Sequence, residues 1–229
     1  MSQLLVDAHE LKFRWPKQQN NTLAIEQLLI EQHQHTFLQG NSGSGKTTFL
    51  NLLCGINLCS AGKLIVLGEE LSNLSSQQRD QFRGNHLGVI FQQFNLLPFL
   101  SVKENIQLPC RFSKLRRAKI DDTTHEVLRL LAALDLPESL LDKNVTELSA
   151  GQQQRVAACR AMIGSPELII ADEPTSALDV QNRDNFLELL FQEAENHGST
   201  IIFVSHDPAI AKHFPKHINL TDINQGGKA

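Results

Sequence analysis

The stretch HTFLQGNSGSGKTTFL, residues 35–50, decides how this chain is read. Its centre, GNSGSGKTT at 40–48, has the spacing G-x-x-x-x-G-K-[ST]; HTFLQ before it reads as a strand and TTFLNLLCGI after it as a helix. In that setting Gly40, Asn41, Ser42, Gly43, Ser44 and Gly45 can curl their backbone N–H groups around phosphate oxygens. The helix that follows adds its positive end. Lys46 then reaches the outer phosphates, and of Thr47 and Thr48 the first offers its hydroxyl to Mg2+. A Gly/Ser loop that only caps a helix is the competing reading; Lys46 and Thr47 in register weigh against it.

A phosphate loop of this kind needs a carboxylate to hold the magnesium through water, at the end of an apolar strand. ELIIAD at 167–172 supplies Asp172, and Glu173 follows at the lip of the strand, where a carboxylate can polarise an attacking water. Two acidic residues that merely close a strand before a turn are the bland alternative. TIIFVS at 200–205 reads as another strand and ends beside His206, placed to touch the γ-phosphate or the attacking water. His213 and His217, four apart, find no third ligand at a convincing spacing and are taken as exposed.

Further out, LLVDAHELKF (4–13), KLIVLG (63–68) and HLGVIF (86–91) also read as strands, and Val180 to His197 as a helix closed by Gly198. Strands alternating with helices argue for a mainly parallel sheet covered on both faces, an α/β class. TTHEVLRLLAALDL (123–136) places Val127, Leu128, Leu131 and Leu134 on one helical face and ends at Pro137, so the middle of the chain is an inserted helical lobe. With no repeat, low-complexity tract or linker, residues 1–229 are expected to form a single domain with a helical subdomain at about 93–160. The tail TDINQGGKA is expected to fray.

The net charge of −4 argues against attraction of the whole surface to nucleic acid or anionic lipid, and leaves local patches open. The start MSQLLVDAHE lacks the features of a secretion signal, and no apolar run approaches the roughly 20 residues that span a bilayer. Action at a membrane would therefore need a separate anchor. Cys54, Cys59, Cys110 and Cys159 form no CxxC pair and are expected to be reduced, mostly buried thiols. RFSKLRRAK (111–119) carries five basic residues in nine, read as a solvated helix face, with proximity to anionic headgroups as the sharper alternative.

LSAGQQQR (148–155) has no metal ligand and no nucleophile, and its polar character finds a reason only in a resemblance. Taken with the motifs above, it is similar to the ATP-binding subunits of ABC transporters, over nearly the whole chain. GNSGSGKTT resembles their Walker A loop, Gln92 in VIFQQF the Q-loop glutamine, and LSAGQQQR the signature. IIADEP resembles Walker B, SALD (176–179) the D-loop, and His206 the switch histidine. Trp15 in FRWPK falls where the family places an adenine-stacking aromatic. LGVIFQQFNLLPFLSVKENIQLP (87–109) resembles the lipoprotein-releasing and macrolide-exporter (LolD-like, MacB-like) subunits more than importer subunits.

The resemblance implies a P-loop NTPase (RecA-like) core with an antiparallel β subdomain and an inserted α-helical subdomain. It implies ATP and Mg2+ as cofactors, with Thr47, Gln92 and Asp172 around the metal and Lys46, Gln92, Glu173 and His206 in catalysis. It implies a head-to-tail pair, expected to be a homodimer, in which Ser149, Ala150, Gly151, Gln152 and Asp179 meet the ATP of the partner copy. The function implied is an ATPase at the cytoplasmic face of the cell membrane that energises a separate permease for export or extraction of a lipoprotein, peptide or drug. Membrane association would run through the permease, docked near Phe94, Leu96, Leu97, Pro98 and Phe99, residues that simple core packing would equally explain. No nucleic-acid partner is expected. An ATP switch with weak or no hydrolysis and an importer ATPase are the alternatives. Two-unit ribosomal and coiled-coil chromosomal ATPases do not fit 229 residues, and a small-molecule kinase would leave the signature unexplained.

Ala150 stands where the family usually has glycine. If its φ is positive, or a phosphate must approach Cα, the methyl group costs on the order of 1 kcal/mol; if φ is negative, alanine favours the helix.

Overall fold

Alternation of apolar and polar residues builds β1 (Leu4–Phe13), but its buried positions change parity, from Val6 and Ala8 to Leu11 and Phe13. The reason is an irregularity in pairing between His9 and Lys12, where Glu10 takes a φ of 48°. One extra residue swings the rest of the strand onto the same face. A computed structural model describes residues 3–176 and 178–226. Two compact units divide the chain: one runs up to Arg83 and resumes at Ile202, the other is Gly84–Ile201.

In the first unit, β1 lies between β2 (Leu23–Glu31) and β4 (Ala61–Val66), with β5 (Glu69–Glu70) beyond, in an antiparallel sheet of order β2-β1-β4-β5. Ala8 faces Leu28 in β2 and Leu64 in β4. β3 (Thr36–Gln39) pairs in parallel with β8 (Thr200–Val204) and with β9 (Lys216–Asn219). β8 is buried at every position, as expected of a strand covered on both faces. Helix α1 (Lys46–Leu53) follows β3, α2 (Ser76–His86) follows β5, and the short α8 (Pro208–Ala211) and α9 (Leu220–Ile223) flank β9.

In the second unit, β6 (Leu87–Ile90) runs parallel to β7 (Leu168–Asp172), Ile90 facing Ala171. Between them come α3 (Val102–Phe112), α4 (Lys114–Ala118), α5 (Thr123–Ala133) and α6 (Ala150–Met162); α7 (Val180–Asn196) follows β7. α6 packs on α3, α5, α7 and β6, so every residue from Val156 to Met162 is buried. Ser101 starts α3 and Ser149 starts α6 with reciprocal capping boxes to Glu104 and Gln152. Asp122 and Asp179 cap α5 and α7.

Four expectations need correction. The buried positions of α5 are Val127, Leu130 and Leu131, continued by Leu134, which is the i, i+3, i+4, i+7 pattern; Leu128 is half-exposed, and the helix stops at Ala133 rather than near Pro137. The basic stretch is not uniformly solvated, because Arg116 is buried and donates to the carbonyls of Leu87, Ala161 and Ile163. The tail is ordered through α9 to Gly226, with Asn224 bridging to Ile25. His217 is exposed and lies 3.0 Å from the Phe214 carbonyl, but His213 is half-buried. Among the described residues no helix is long and apolar enough to cross a membrane, and no His/Cys/Asp/Glu cluster is arranged to hold a metal.

Candidate active site

In the first unit the phosphate loop and His206 leave neighbouring strands at the same end. Leu38 of β3 faces Val204 of β8, the Ser205 N–H donates to the Leu38 carbonyl at 3.3 Å, and Gly40 and His206 lie just beyond. The carboxyl ends of parallel strands are where α/β sheets bind ligands. The loop needs glycine at Gly45, whose φ is 97° and whose added Cβ would sit 2.7 Å from Leu23 Cδ2. Gly45 is the N-cap of α1, so the N–H groups of the first turn have no carbonyl four residues back and converge at the positive end of the helix.

Lys46 Nζ donates to the carbonyls of Gly40 (2.6 Å) and Asn41 (3.2 Å), which holds the ammonium over the loop. Ser44 Oγ is buried without a hydrogen-bond partner among the described residues, and a Cβ on Gly40 would lie 2.5 Å from it. An orphaned hydroxyl inside a glycine-walled loop suits a phosphate oxygen. Thr47 is exposed and Thr48 buried. Trp15 is 38% exposed and stands edge-on to Phe13 at 5.0 Å.

The loop is clamped by a residue that local sequence reading misses. Asn224, buried, accepts from the N–H groups of Ala24 and Gly226 and donates to the carbonyls of Thr22 (3.0 Å) and Ser44 (3.1 Å). All four hydrogen-bonding positions of the amide are used, and a cleft of about 350 Å³ lies alongside, lined by Asn21, Thr22, Gly43, Ser44 and Asn224 among others. Nothing in TDINQGG signals the clamp on the loop, because Thr22, Ala24 and Ser44 lie 180 to 202 residues earlier.

In the second unit, Gln92 lies two residues beyond Ile90, and Asp172 ends β7 one residue beyond Ala171. The pairing therefore sets Gln92, Asp172 and Glu173 at one edge. Glu173 is half-buried and takes a φ of 46°, a left-handed conformation that costs a residue other than glycine about 1 kcal/mol. Strain of this kind gathers where a side chain must be aimed.

The turn after Gln92 is also strained, with Phe94 at φ 58° and Asn95 at φ 49°. Buried Arg160 of α6 donates to both of their carbonyls at 2.6 Å, and burial lowers its pKa below the usual guanidinium value. Asn105, fully buried, accepts from the Leu97 N–H and donates to the carbonyls of Leu97, Leu100 and Ser101, fixing the loop that holds Phe99 outward. The roles of Asn105 and Arg160 were not visible in the sequence.

LSAGQQQR spans the start of α6. Ser149 Oγ accepts from the Gln152 N–H and Gln152 Oε1 accepts from the Ser149 N–H, which leaves the serine hydroxyl free to donate elsewhere. Ala150 is the first residue of the helix and is not among the residues with positive φ. Ser149, Ala150, Gly151 and Gln152 line a cleft of about 500 Å³ together with Asp179 and Asn182. The Asp179 carboxyl caps α7, and the backbone N–H and amide of Asn182 hold it below the usual carboxylate range. Ala177 of the same motif lies outside the described residues.

A glycine loop at a helix N-terminus, a strand-end Asp-Glu pair and a helix-start serine motif define a P-loop ATPase of the α/β class. The ABC transporter family model matches residues 25–176. The chain is 40% identical over 193 residues to the bacitracin export ATP-binding protein BceA of Halalkalibacterium halodurans, covering 84% of this chain and 75% of that one. It is 36% identical over 196 residues to the lipoprotein-releasing system ATP-binding protein LolD of Francisella tularensis, covering 85% and 83%. The dimeric post-hydrolysis structure of the ATP-binding cassette MJ0796 bound to ADP and Pi has a TM-score of 0.83 at 29% identity, over 97% of this chain and 98% of that one. The chain belongs to the ABC transporter family, as an ATP-binding cassette with ATPase activity.

Proposed function

We propose that this cassette works as a single ATP-binding domain, peripheral to the cytoplasmic face of a membrane, and drives a separate permease that exports or extracts its substrate. Relatives named for bacitracin export and lipoprotein release support the direction of transport, and the dimeric MJ0796 cassette supports a pair of cassettes, which we take to be head to tail. The observation that carries the ATPase reading is the loop in which Gly45 starts α1 and Lys46 Nζ is held over Gly40 and Asn41. Mg2+ fits the donors assigned to it, Thr47, Gln92 and Asp172, which are all oxygens with one carboxylate among them. When bound, the ion would supply positive charge against the phosphate oxygens.

In this reading Lys46 exchanges two carbonyl acceptors for the outer phosphate oxygens, and Ser44 Oγ gains the partner it lacks. Trp15 stacks on the adenine. Glu173 accepts the proton of the attacking water, Gln92 orients that water and His206 donates to the γ-phosphate. Ser149 donates its hydroxyl to the phosphate of the partner copy, with the N–H groups at Ala150, Gly151 and Gln152 at a helix N-terminus and Asp179 beside them. The helical conformation of Ala150 removes one of the two reasons to read the signature as defective; crowding of a phosphate is the other.

Glu173→Gln is expected to trap an ATP-bound dimer on size exclusion. A variant that stays monomeric in saturating Mg-ATP, with and without permease, would refute the paired site. Single-turnover hydrolysis by the wild-type chain with its permease separates an enzyme from a switch, since bound ATP without phosphate release would leave only the switch.

A further inference from the structure

The corner between α3 and α4 holds two large apolar side chains in water. Phe112 is 80% exposed and Leu115 41% exposed. They are not there because the segment is loose. Ser113 between them is buried; its hydroxyl donates to Asn85 Oδ1 at 2.6 Å and accepts from the Arg116 N–H at 3.0 Å. Arg116, also buried, donates through Nε to the Ile163 carbonyl (2.7 Å) and through its terminal nitrogens to those of Ala161 (2.7 Å) and Leu87 (3.2 Å). Burying a guanidinium is costly unless it is fully bonded, so the corner is strongly specified. Its outward side chains are therefore fixed in place.

Those side chains are of two kinds. Arg111, Lys114 and Arg117 are exposed around Phe112 and Leu115, and residues 107–120 contain no Asp or Glu, in a chain whose net charge is −4. Lys119, the remaining cation, is already paired with Glu167 at 3.3 Å. A short helix with basic residues beside an aromatic and a leucine is the pattern of a segment that lies in a membrane interface, its apolar side chains below the headgroups and its cations among them.

We propose that this corner, Arg111 to Arg117, is a membrane-surface contact that inserts Phe112 and Leu115 into a bilayer interface and pairs Arg111, Lys114 and Arg117 with anionic lipid headgroups. It adds a direct lipid contact to an association otherwise carried by the permease alone. The local charge decides for lipid over a protein partner here, because Arg111, Lys114 and Arg117 form no salt bridge among the described residues and outnumber Glu104, the carboxylate that acts on Arg111, so that they match a surface of uniform negative charge. The net negative charge of the rest of the chain opposes binding by any other face.

The test is flotation of the purified full chain, without permease, on vesicles of phosphatidylglycerol with phosphatidylethanolamine and on vesicles of phosphatidylcholine. Binding to the anionic vesicles only, lost as salt rises, is expected. Each cation near such a surface changes affinity by about fivefold, so replacing Arg111, Lys114 and Arg117 together by Gln should weaken binding about 100-fold. Phe112→Ser should weaken it while preserving its salt dependence. Basal ATPase activity of these variants should equal that of the wild type, which reports that they fold. Equal wild-type binding to both kinds of vesicle, or a triple variant that floats like the wild type, overturns the proposal. So does a wild type that ignores vesicles while the triple variant fails to co-purify with its permease, which would give the surface to a protein.

Discussion

Replacing Ala150 by glycine restores the residue usual in the family and separates two physical accounts of the signature. Ala150 is the first residue of α6, behind the Ser149 capping box, and its φ is not positive. Glycine therefore relieves no backbone strain. It gives up helix propensity and gains unfolded-state entropy, which costs about 0.5–1 kcal/mol within a helix and tends to the lower end in the first turn. For a chain of this size 1 kcal/mol moves Tm by about 2–4 °C, so Ala150→Gly should lower Tm by about 1–4 °C. With no strain to release, kcat of the permease-coupled ATPase should stay within about twofold of wild type. If instead the methyl group is pressed against a phosphate at a cost of 1 kcal/mol or more, its removal would speed turnover by about fivefold or more. Calorimetry and steady-state phosphate release on the same preparations decide between the two. A fivefold gain in kcat would make Ala150 a brake through crowding of the phosphate, and a higher Tm would refute the conformational argument.

Gly151→Ala is the complementary experiment: among the described residues the new Cβ would meet only Leu178 Cδ2, at 3.7 Å, so the fold should keep or slightly raise its Tm. A loss of turnover of about tenfold without loss of stability would then report a contact outside the chain, and unchanged turnover would remove Gly151 from the paired site. Asn224→Ala strips partners from the carbonyls of Thr22 and Ser44 and the N–H groups of Ala24 and Gly226; a loss of about 2–3 kcal/mol in urea unfolding and a KM for ATP raised more than kcat is lowered are expected. A KM equal to that of the wild type would show that the clamp does not shape the phosphate loop. Burial raises the pKa of the Glu167 carboxyl, but the His86 hydrogen bond, a backbone N–H and Lys119 outweigh it and hold the group down at about 2. A depressed carboxylate stabilises fully above its ordinary pKa of 4.5 and loses that contribution as pH falls towards 2. The difference in urea midpoint between wild type and Glu167→Gln should thus be fully present at pH 5 and shrink as pH falls from 4.5 towards 2; a difference that persists undiminished at pH 2 contradicts this pairing.

Much of the core was legible because its signals are local. β1 has the bounds that alternation assigns, and β3, β6, β7 and β8 fall within a few residues of their apolar runs. The phosphate loop was legible for the same reason, since its glycines, Lys46 and Thr47 are contiguous. Helix α5 shows the limit of periodicity. Leu128 and Leu130 are equally apolar, and only the packing of α5 against α3 and α6 selects Leu130. Arg116 could not be told from its basic neighbours, because what buries it are the carbonyls of Leu87, Ala161 and Ile163.

The order of the residues thus settles the class of chemistry: a phosphate loop before a helix, a strand ending in Asp172 and Glu173, and a serine-capped signature helix. These are properties of short segments, whose backbone hydrogen bonds and side-chain alternation are satisfied within a few residues. Tertiary structure decides how those segments are held. The clamp of Asn224 on Ser44, the tie from Arg160 to the turn after Gln92, the outward set of Phe112 and the sign of φ at Ala150 became visible only in the folded chain. The first three depend on hydrogen bonds that close loops of about 30 to 200 residues, and no local pattern encodes which distant carbonyl will be the partner.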